Sequence, residues 1–330
     1  MAKEDIAVKQ YLKVRERFAD IYNANMFGGR QVIKPEELSE INAESNIIED
    51  GVKVIFKDGE SDSTHAKRTL WRYRDIVMKW RGIILMILAC EIQAKVHYAM
   101  PVRGMLYDAL SYTDQMHEIW EHLSEKERKE VNEAEFFSRF RKEDKLRPVV
   151  TLVFYYGEQP WDGSLELYDM FELESEGDLE EVKGFVANYK VKLVDASMVE
   201  DLSLYQSDLK EVLGFVKYRG DKERLLTYAN ENRKFFESVD YETVNALGAM
   251  IQGGEKYAEM FKNNKAEEEC NMCQALEDLW EDGVKSGIRK AVFMLRKVGT
   301  SDEVIVDMIK TEYNISVEEA RRYMDEPQNK

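Results

Sequence analysis

Two apolar runs of eight residues each constrain this chain more than any other feature. They are Ile83-Ile84-Leu85-Met86-Ile87-Leu88-Ala89-Cys90 and Val149-Val150-Thr151-Leu152-Val153-Phe154-Tyr155-Tyr156. A bilayer-spanning helix needs about 20 consecutive apolar residues, so neither run crosses a membrane. The second run is nearly continuous, which marks a strand buried on both faces. The first belongs to a pair of strand candidates, 72–80 and 83–95, separated by Trp80-Arg81-Gly82, a hairpin-like break. Shorter strand signals lie at 52–56 and 189–194. Helical spacing runs over 5–27, stopped by Gly28-Gly29, over 35–45, opened by Pro35-Glu36-Glu37, and over 101–123. Residues 124–147 mix both charge signs and read as a solvated helix or surface excursion. After about residue 200 the strand signal vanishes, and helical segments are expected at 207–218, 221–237, 241–250, 255–262, 267–298, 302–312 and 316–325. The organisation expected is a mixed α/β part, 1–200, followed by an all-helical part, 201–330.

The chain has 330 residues and a formal charge of −17, which excludes a uniformly basic protein that coats nucleic acid. The charge is uneven. Residues 158–212 carry −11 and residues 266–330 carry −6, whereas 66–110 carry +5. The acidity therefore lies outside the basic stretch that holds the first apolar run. Three cysteines (Cys90, Cys270, Cys273) make no disulfide framework and point to a reducing, cytoplasmic setting. The opening Met1-Ala2-Lys3-Glu4-Asp5 has no apolar stretch, which predicts no secretory leader. Neither a G-x-x-x-x-G-K-[ST] nor a G-x-G-x-x-G string occurs, nor G-x-S-x-G or H-E-x-x-H. Nucleotide-driven motors, dinucleotide oxidoreductases and the commonest hydrolases are thereby disfavoured. Cys270-Asn-Met-Cys273 has no second cysteine pair, so its expected role is structural rather than zinc-binding.

The chemistry-bearing stretch is 72–107. Strand side chains alternate with period two, so Glu91, Gln93 and Lys95 share one face at the end of an otherwise apolar strand. A carboxylate there is costly unless paired or metal-bound. Asp75 sits on the neighbouring strand. A three-residue turn at 80–82 sets Asp75 opposite Ile87 and on the face of Glu91; a turn one residue different sets the two carboxylates on opposite faces. Two carboxylates and a polar neighbour suit Mg²⁺, which prefers oxygen ligands and grips substrate phosphates. The cations of the basic stretch, Lys67, Arg68, Arg72, Arg74, Lys79, Arg81 and Arg103, are the candidates for holding phosphate.

Several strings around these residues resemble a known family. They are Asp75, Glu91-x-Gln93, Met100-Pro101-Val102-Arg103-Gly104-Met105-Leu106-Tyr107 and Pro148 through Tyr155-Tyr156-Gly157-Glu158-x-Pro160-Trp161, with Glu16-Arg17-Phe18-Ala19-Asp20-Ile21-Tyr22-Asn23 ahead of them. Together they are similar to the Rpn (recombination-promoting nuclease)/putative transposase family of the PD-(D/E)xK nuclease superfamily. The likeness covers about residues 10–170. Beyond 200 it rests on helical character and on Glu281-Asp282-Gly283-x-x-x-Gly287. It implies a restriction-endonuclease-like mixed sheet flanked by helices in a bacterial enzyme that cuts DNA with Mg²⁺, for which Mn²⁺ can substitute. Carried over residue by residue, Asp75 and Glu91 match the metal ligands, and Gln93 stands where the superfamily pattern has Lys. Gln cannot carry charge, so it orients water or substrate, while Lys95 on the same face supplies the missing cation. Arg74, not Pro, precedes Asp75, a departure from the motif. Arg72, Arg74 and Arg103 are the expected DNA contacts, and Asp20 or Glu16 the candidate for an additional acidic residue on the first helix.

Two other readings stand beside this one. The chain could be a catalytically inactive relative that binds DNA or protein, with the helical part forming a homo-oligomer. His97 is a lesser polar candidate, and Tyr155-Tyr156 reads as core more readily than as a base-stacking pair.

Overall fold

The structure is a computed structural model that describes residues 3–41, 76–89, 96–251 and 269–325. The strand expected at 52–56, the loop after it and the helix expected at 255–262 lie outside the described residues. The chain divides into two compact units, Met1–Lys222 with Glu242–Ala258, and Glu223–Tyr241 with Glu259–Lys330.

The first unit is built on a five-stranded mixed sheet, flanked by helices as an α/β fold requires. Its strands are β1 (Leu38–Glu40), β2 (Ile76–Trp80), β3 (Ile83–Ala89), β4 (Val149–Tyr155) and β5 (Lys192–Asp195), in that spatial order. β1, β2 and β3 pair antiparallel, whereas β3–β4 and β4–β5 are parallel. A parallel pair needs a crossover. Between β3 and β4 it is made by the 22-residue helix α3 (Met100–Glu121) and two short helices, α4 (Glu125–Glu130) and α5 (Glu133–Ser138). Each short helix opens with a reciprocal capping box, Ser124 with Glu127 and Asn132 with Glu135, which lets a six-residue helix form in a highly charged stretch. β4 lies inside the sheet, between β3 and β5, and Leu152, Val153, Phe154 and Tyr155 are all buried. Val153 and Tyr155 join Val77, Ile84 and Met100 in one apolar cluster against α3. Tyr155 and Tyr156 are core residues, and Trp161 packs edge-on against Tyr155 with ring centroids 5.2 Å apart.

Three expectations need correction. The helix expected over 5–27 is two helices, α1 (Lys3–Lys13) and α2 (Arg15–Phe27), broken at Val14 by an extended backbone (ψ 126°). At the break the Arg17 guanidinium lies 3.9 Å over the Tyr11 ring and donates to the Tyr11 carbonyl. The helix expected over 35–45 shrinks to a single turn at Pro35–Glu37 before β1. Leu38–Glu40 instead pair with Met78–Trp80, and the Glu37 carboxylate is taken by Trp80 Nε1 (2.8 Å) and Arg81 (2.7 Å). Tertiary pairing thus overrides a good local helix start. The part after 200 also holds a two-residue ladder, β6 (Val239–Asp240) with β7 (Glu269–Cys270).

Between β4 and β5 the chain forms the short helix α6 (Glu176–Val182), and the start of α7 (Leu209–Tyr218) is clamped to α2. Arg17 makes a two-pronged bond to Asp208, at 2.9 Å and 2.7 Å, and reaches Thr243 Oγ1 on α10 (Tyr241–Met250). Asp20, 2 % exposed, accepts from the backbone N–H groups of Gln206 and Ser207 and from the Ser207 hydroxyl. The candidate acid of the first helix therefore serves to close a chain turn. Glu16 is exposed.

The second unit contains α8 (Lys222–Glu231), α9 (Arg233–Phe236), α11 (Met272–Lys297), α12 (Asp302–Tyr313) and α13 (Val317–Asp325). Ile288, Val292, Ile305, Ile309, Ala320 and Met324 form its own core. Gly283 and Gly287 of the expected glycine-spaced string lie within α11. Neither Cys270 nor Cys273 is in a disulfide. Burial pushes the Cys270 thiol up to about 11, and the Cys273 thiol donates to the Ala229 carbonyl at 3.8 Å, in line with a structural pair. Among the described residues no helix is long and apolar enough to cross a membrane.

Removing a buried carboxylate that satisfies backbone donors strands those donors. Asp20→Ala is expected to lower unfolding free energy by about 2–4 kcal/mol. Glu16→Ala is expected to change it by less than about 0.5 kcal/mol. Urea unfolding of the two variants checks the contrast.

Candidate nucleic-acid interface

In open α/β sheets ligands bind beyond the carboxyl ends of the parallel strands. Here those ends are Ala89, Tyr155 and Asp195, and the chain entering α3 passes beside them. Val96 lies against Gly163, where a Cβ would come within 2.8 Å of its side chain, and Tyr98 donates to Asp162 at 3.3 Å. Asp195 accepts from Ser197 Oγ at 2.7 Å and from the Trp161 N–H at 3.3 Å. Arg219 on the residue after α7 closes the same edge. Its guanidinium donates to the carbonyls of Tyr156 (2.8 Å), Met250 (2.5 Å) and Gly157. Burial holds the Arg219 group below its ordinary value, offset by the nearby Glu158 and Asp195.

Arg103 stands in the first turn of α3, 5.4 Å over the Tyr107 ring and 3.3 Å from its hydroxyl. No acidic residue occupies that first turn, so the positive end of the helix dipole and the guanidinium reinforce one another. His97 lies just ahead of the helix. Burial first, and then Arg103, hold its imidazole below the ordinary value, and Nδ1 is buried without a hydrogen-bond partner.

Asp75, Glu91, Gln93, Lys95, Arg72 and Arg74 lie outside the described residues, as do Lys67 and Arg68. The strand register used to set the two carboxylates on one face is not the one found. Trp80 pairs with Ile83 and Ile76 with Ile87, so the turn is the two residues Arg81-Gly82, not three, and Ile87 faces Ile76 rather than Asp75. Both turn residues have positive φ, 46° and 86°, which is the geometry a two-residue hairpin needs to match strand twist. Arg81 adopts it because its guanidinium is held by both Glu37 oxygens, at 3.0 Å and 2.7 Å. It is therefore engaged within the fold and drops from the phosphate-holding set. The parity argument for a shared face fails with the register, and the pairing of Asp75 with Glu91 stands on the family resemblance. Among the described residues no three His, Cys, Asp or Glu side chains gather as a metal site.

The carboxylate that sequence reasoning missed is Asp108, which joins α3 to the sheet. It accepts from Thr151 Oγ1 on β4 at 2.5 Å and from the Tyr189 hydroxyl at 2.9 Å. Burial pushes its carboxyl above the ordinary range, opposed by those two hydrogen bonds and by Lys192. Tyr189 passes so close to α3 that a Cβ on Gly104 would lie 2.8 Å from its hydroxyl. Gly104 of the Pro-Val-Arg-Gly string is thereby explained by packing. The only sequence signal for Asp108 was a lone acid on the helix face toward Thr151.

A family model described as "Putative transposase, YhgA-like" matches residues 105–244. The matched stretch runs from α3 through β4 and β5 into α10; it excludes Asp75, Glu91, Gln93, Lys95 and Arg103. Over it the chain is similar to that family, which is PD-(D/E)xK-like. No curated protein and no solved structure matches the chain.

Asp108 holds its proton more tightly folded than unfolded, so its contribution to stability is present at low pH and falls as pH rises through the range above the ordinary carboxylate value. Unfolding of wild type and Asp108→Asn at a series of pH values is expected to show the wild type losing ground to the variant on that climb. Gly104→Ala, which in an open helix position gains about 1 kcal/mol, is expected to lose about 1 kcal/mol by displacing Tyr189. A thermal melt reads the sign.

Proposed function

We propose that the chain is a Mg²⁺-dependent DNA endonuclease that hydrolyses phosphodiester bonds, acting in recombination, transposition or defence. The observation that carries this reading is the transposase-family match over 105–244, laid on a mixed sheet whose interior strand β4 follows the α3 crossover. Asp75 and Glu91 are the proposed metal ligands, and their donor set is all oxygen, which fits Mg²⁺. A bound Mg²⁺ would lower the pKa of its water and offset charge on the phosphate. Gln93 would orient the attacking water through its amide, and Lys95 would hold a nonbridging phosphate oxygen. Arg72 and Arg74 would hold the strand beside the cut. Arg103, with the helix end behind it, would grip the neighbouring phosphate.

A second reading is favoured by one specific observation. Phe293, Met294, Val298, Val304 and Met308 are all at least 49 % exposed on α11, the following turn and α12. An apolar group of this kind suits contact with another copy of the chain, so an inactive, oligomeric DNA- or protein-binding relative is the alternative.

Nicking of supercoiled plasmid decides between them. Wild-type protein is expected to nick with Mg²⁺ or Mn²⁺, and Asp75→Ala to lose on the order of a hundredfold or more in rate. Equal nicking by the variant would sink the assignment of Asp75. No nicking by either, with a stable oligomer on sizing, selects the alternative.

A further inference from the structure

The far end of α3 carries a second group of polar side chains that the proposed cutting site does not use. An open cleft of about 270 Å³ is lined by Gln115, Glu118, Ile119, His122, Lys145 and Arg147. Its wall is braced from inside. Gln115 is 4 % exposed, accepts from the Arg147 N–H at 2.6 Å and donates to the Arg147 carbonyl at 3.1 Å, so the residue is pinned by both backbone groups while its side chain stays exposed. The His122 ring is anchored by Nδ1, 2.6 Å from the Glu118 carbonyl oxygen, leaving Nε2 for another group.

The neighbouring charges are already engaged. Arg141 pairs with Asp144 and Glu127, and Arg128 with Glu121. Lys145 and Arg147 make no ion pair among the described residues, and neither does Glu118 in the same wall. Two fixed cations and one carboxylate leave the wall at +1. A phosphodiester carries one negative charge and neutralises it, whereas a doubly charged phosphate monoester would overshoot. Arg103 and His122 are 19 positions apart on α3 and at its C-cap. At 1.5 Å per residue that is roughly 28 Å, the length of about eight base pairs.

We infer that this cleft holds a backbone phosphate of nucleic acid outside the cutting site, so that one duplex is gripped at both ends of α3. The inference rests on the DNA reading proposed above. It predicts a phosphate contact that is independent of sequence and sensitive to salt.

The test is binding of a labelled duplex of about 30 base pairs to the full chain without divalent metal, followed across a salt series. Lys145→Gln with Arg147→Gln is expected to weaken binding by about tenfold or more and to lower the salt slope by about one, the single phosphate that the cleft holds. The control is Lys126→Gln with Lys129→Gln on α4, the same change in net charge at residues that do not line the cleft, expected to stay within about twofold of wild type. Circular dichroism checks that both variants fold; the Gln115 bonds go to the Arg147 backbone and survive the substitution. Wild-type binding with an unchanged cleft variant, or equal weakening by the control, overturns the inference and leaves the DNA reading standing. No duplex binding by wild type overturns the DNA reading and the inference with it.

Discussion

The parallel pairing of β3 with β4 is the constraint from which the rest of the first unit follows. Six consecutive registered pairs, from Ile84 with Val149 to Ala89 with Phe154, lock two strands that are about sixty residues apart in sequence. Parallel strands cannot be joined by a tight turn. The chain between them must leave the sheet and return, and α3 is the element that does so. Its first turn is delivered to the carboxyl ends of the strands and its last turn to their amino ends. Both candidate phosphate contacts, Arg103 and the Lys145–Arg147 wall, owe their positions to that crossover.

Charge inside this unit is handled by exact partnering rather than by exclusion. Arg17, Asp20, Asp108 and Arg219 are buried or half-buried, and each is met by several hydrogen bonds, most of them to residues far away in sequence. An unpaired charge at any of these places would cost several kcal/mol. Paired, the same groups specify which segments meet: α2 with the start of α7, α3 with β4 and the approach to β5, and the residue after α7 with the end of β4. The acidic total of the chain therefore says little about the interface, since part of it is spent on these internal contacts and part on exposed surfaces.

Much of the secondary structure was legible because periodicity survives folding. The spacing of Met105, Leu106, Ala109, Leu110, Met116 and Ile119 announces α3 as a helix, although Met105, Leu106 and Ala109 are exposed and Gly104, Ser111 and Gln115 lie on its buried face; the unbroken run at Val149 announces a two-sided strand. Where the reading failed, a long-range contact had overruled a local preference. Pro35-Glu36-Glu37 is a sound helix start, but Leu38–Glu40 gain a strand neighbour. Arg81-Gly82 turned in two residues rather than three, because Glu37, more than forty positions earlier, holds the arginine in a conformation it seldom adopts. That single residue of register was enough to undo the shared-face argument for Asp75 and Glu91, since strand parity reverses with every step.

By itself the sequence determined most of the element types, the placement of the basic stretch, the absence of a long apolar helix in the described residues and the likeness to a putative transposase family. These depend on composition, spacing and local strings, which a linear chain carries on its face. Only the tertiary structure decided strand order and register, the conversion of Asp20 and Arg81 from candidate functional residues into structural ones, and the meeting of Asp108 with Thr151 and Tyr189. Those outcomes depend on which distant groups satisfy one another once water is excluded. The physical reason is that a buried polar group must find its partner wherever the fold brings one, and sequence separation does not limit the search.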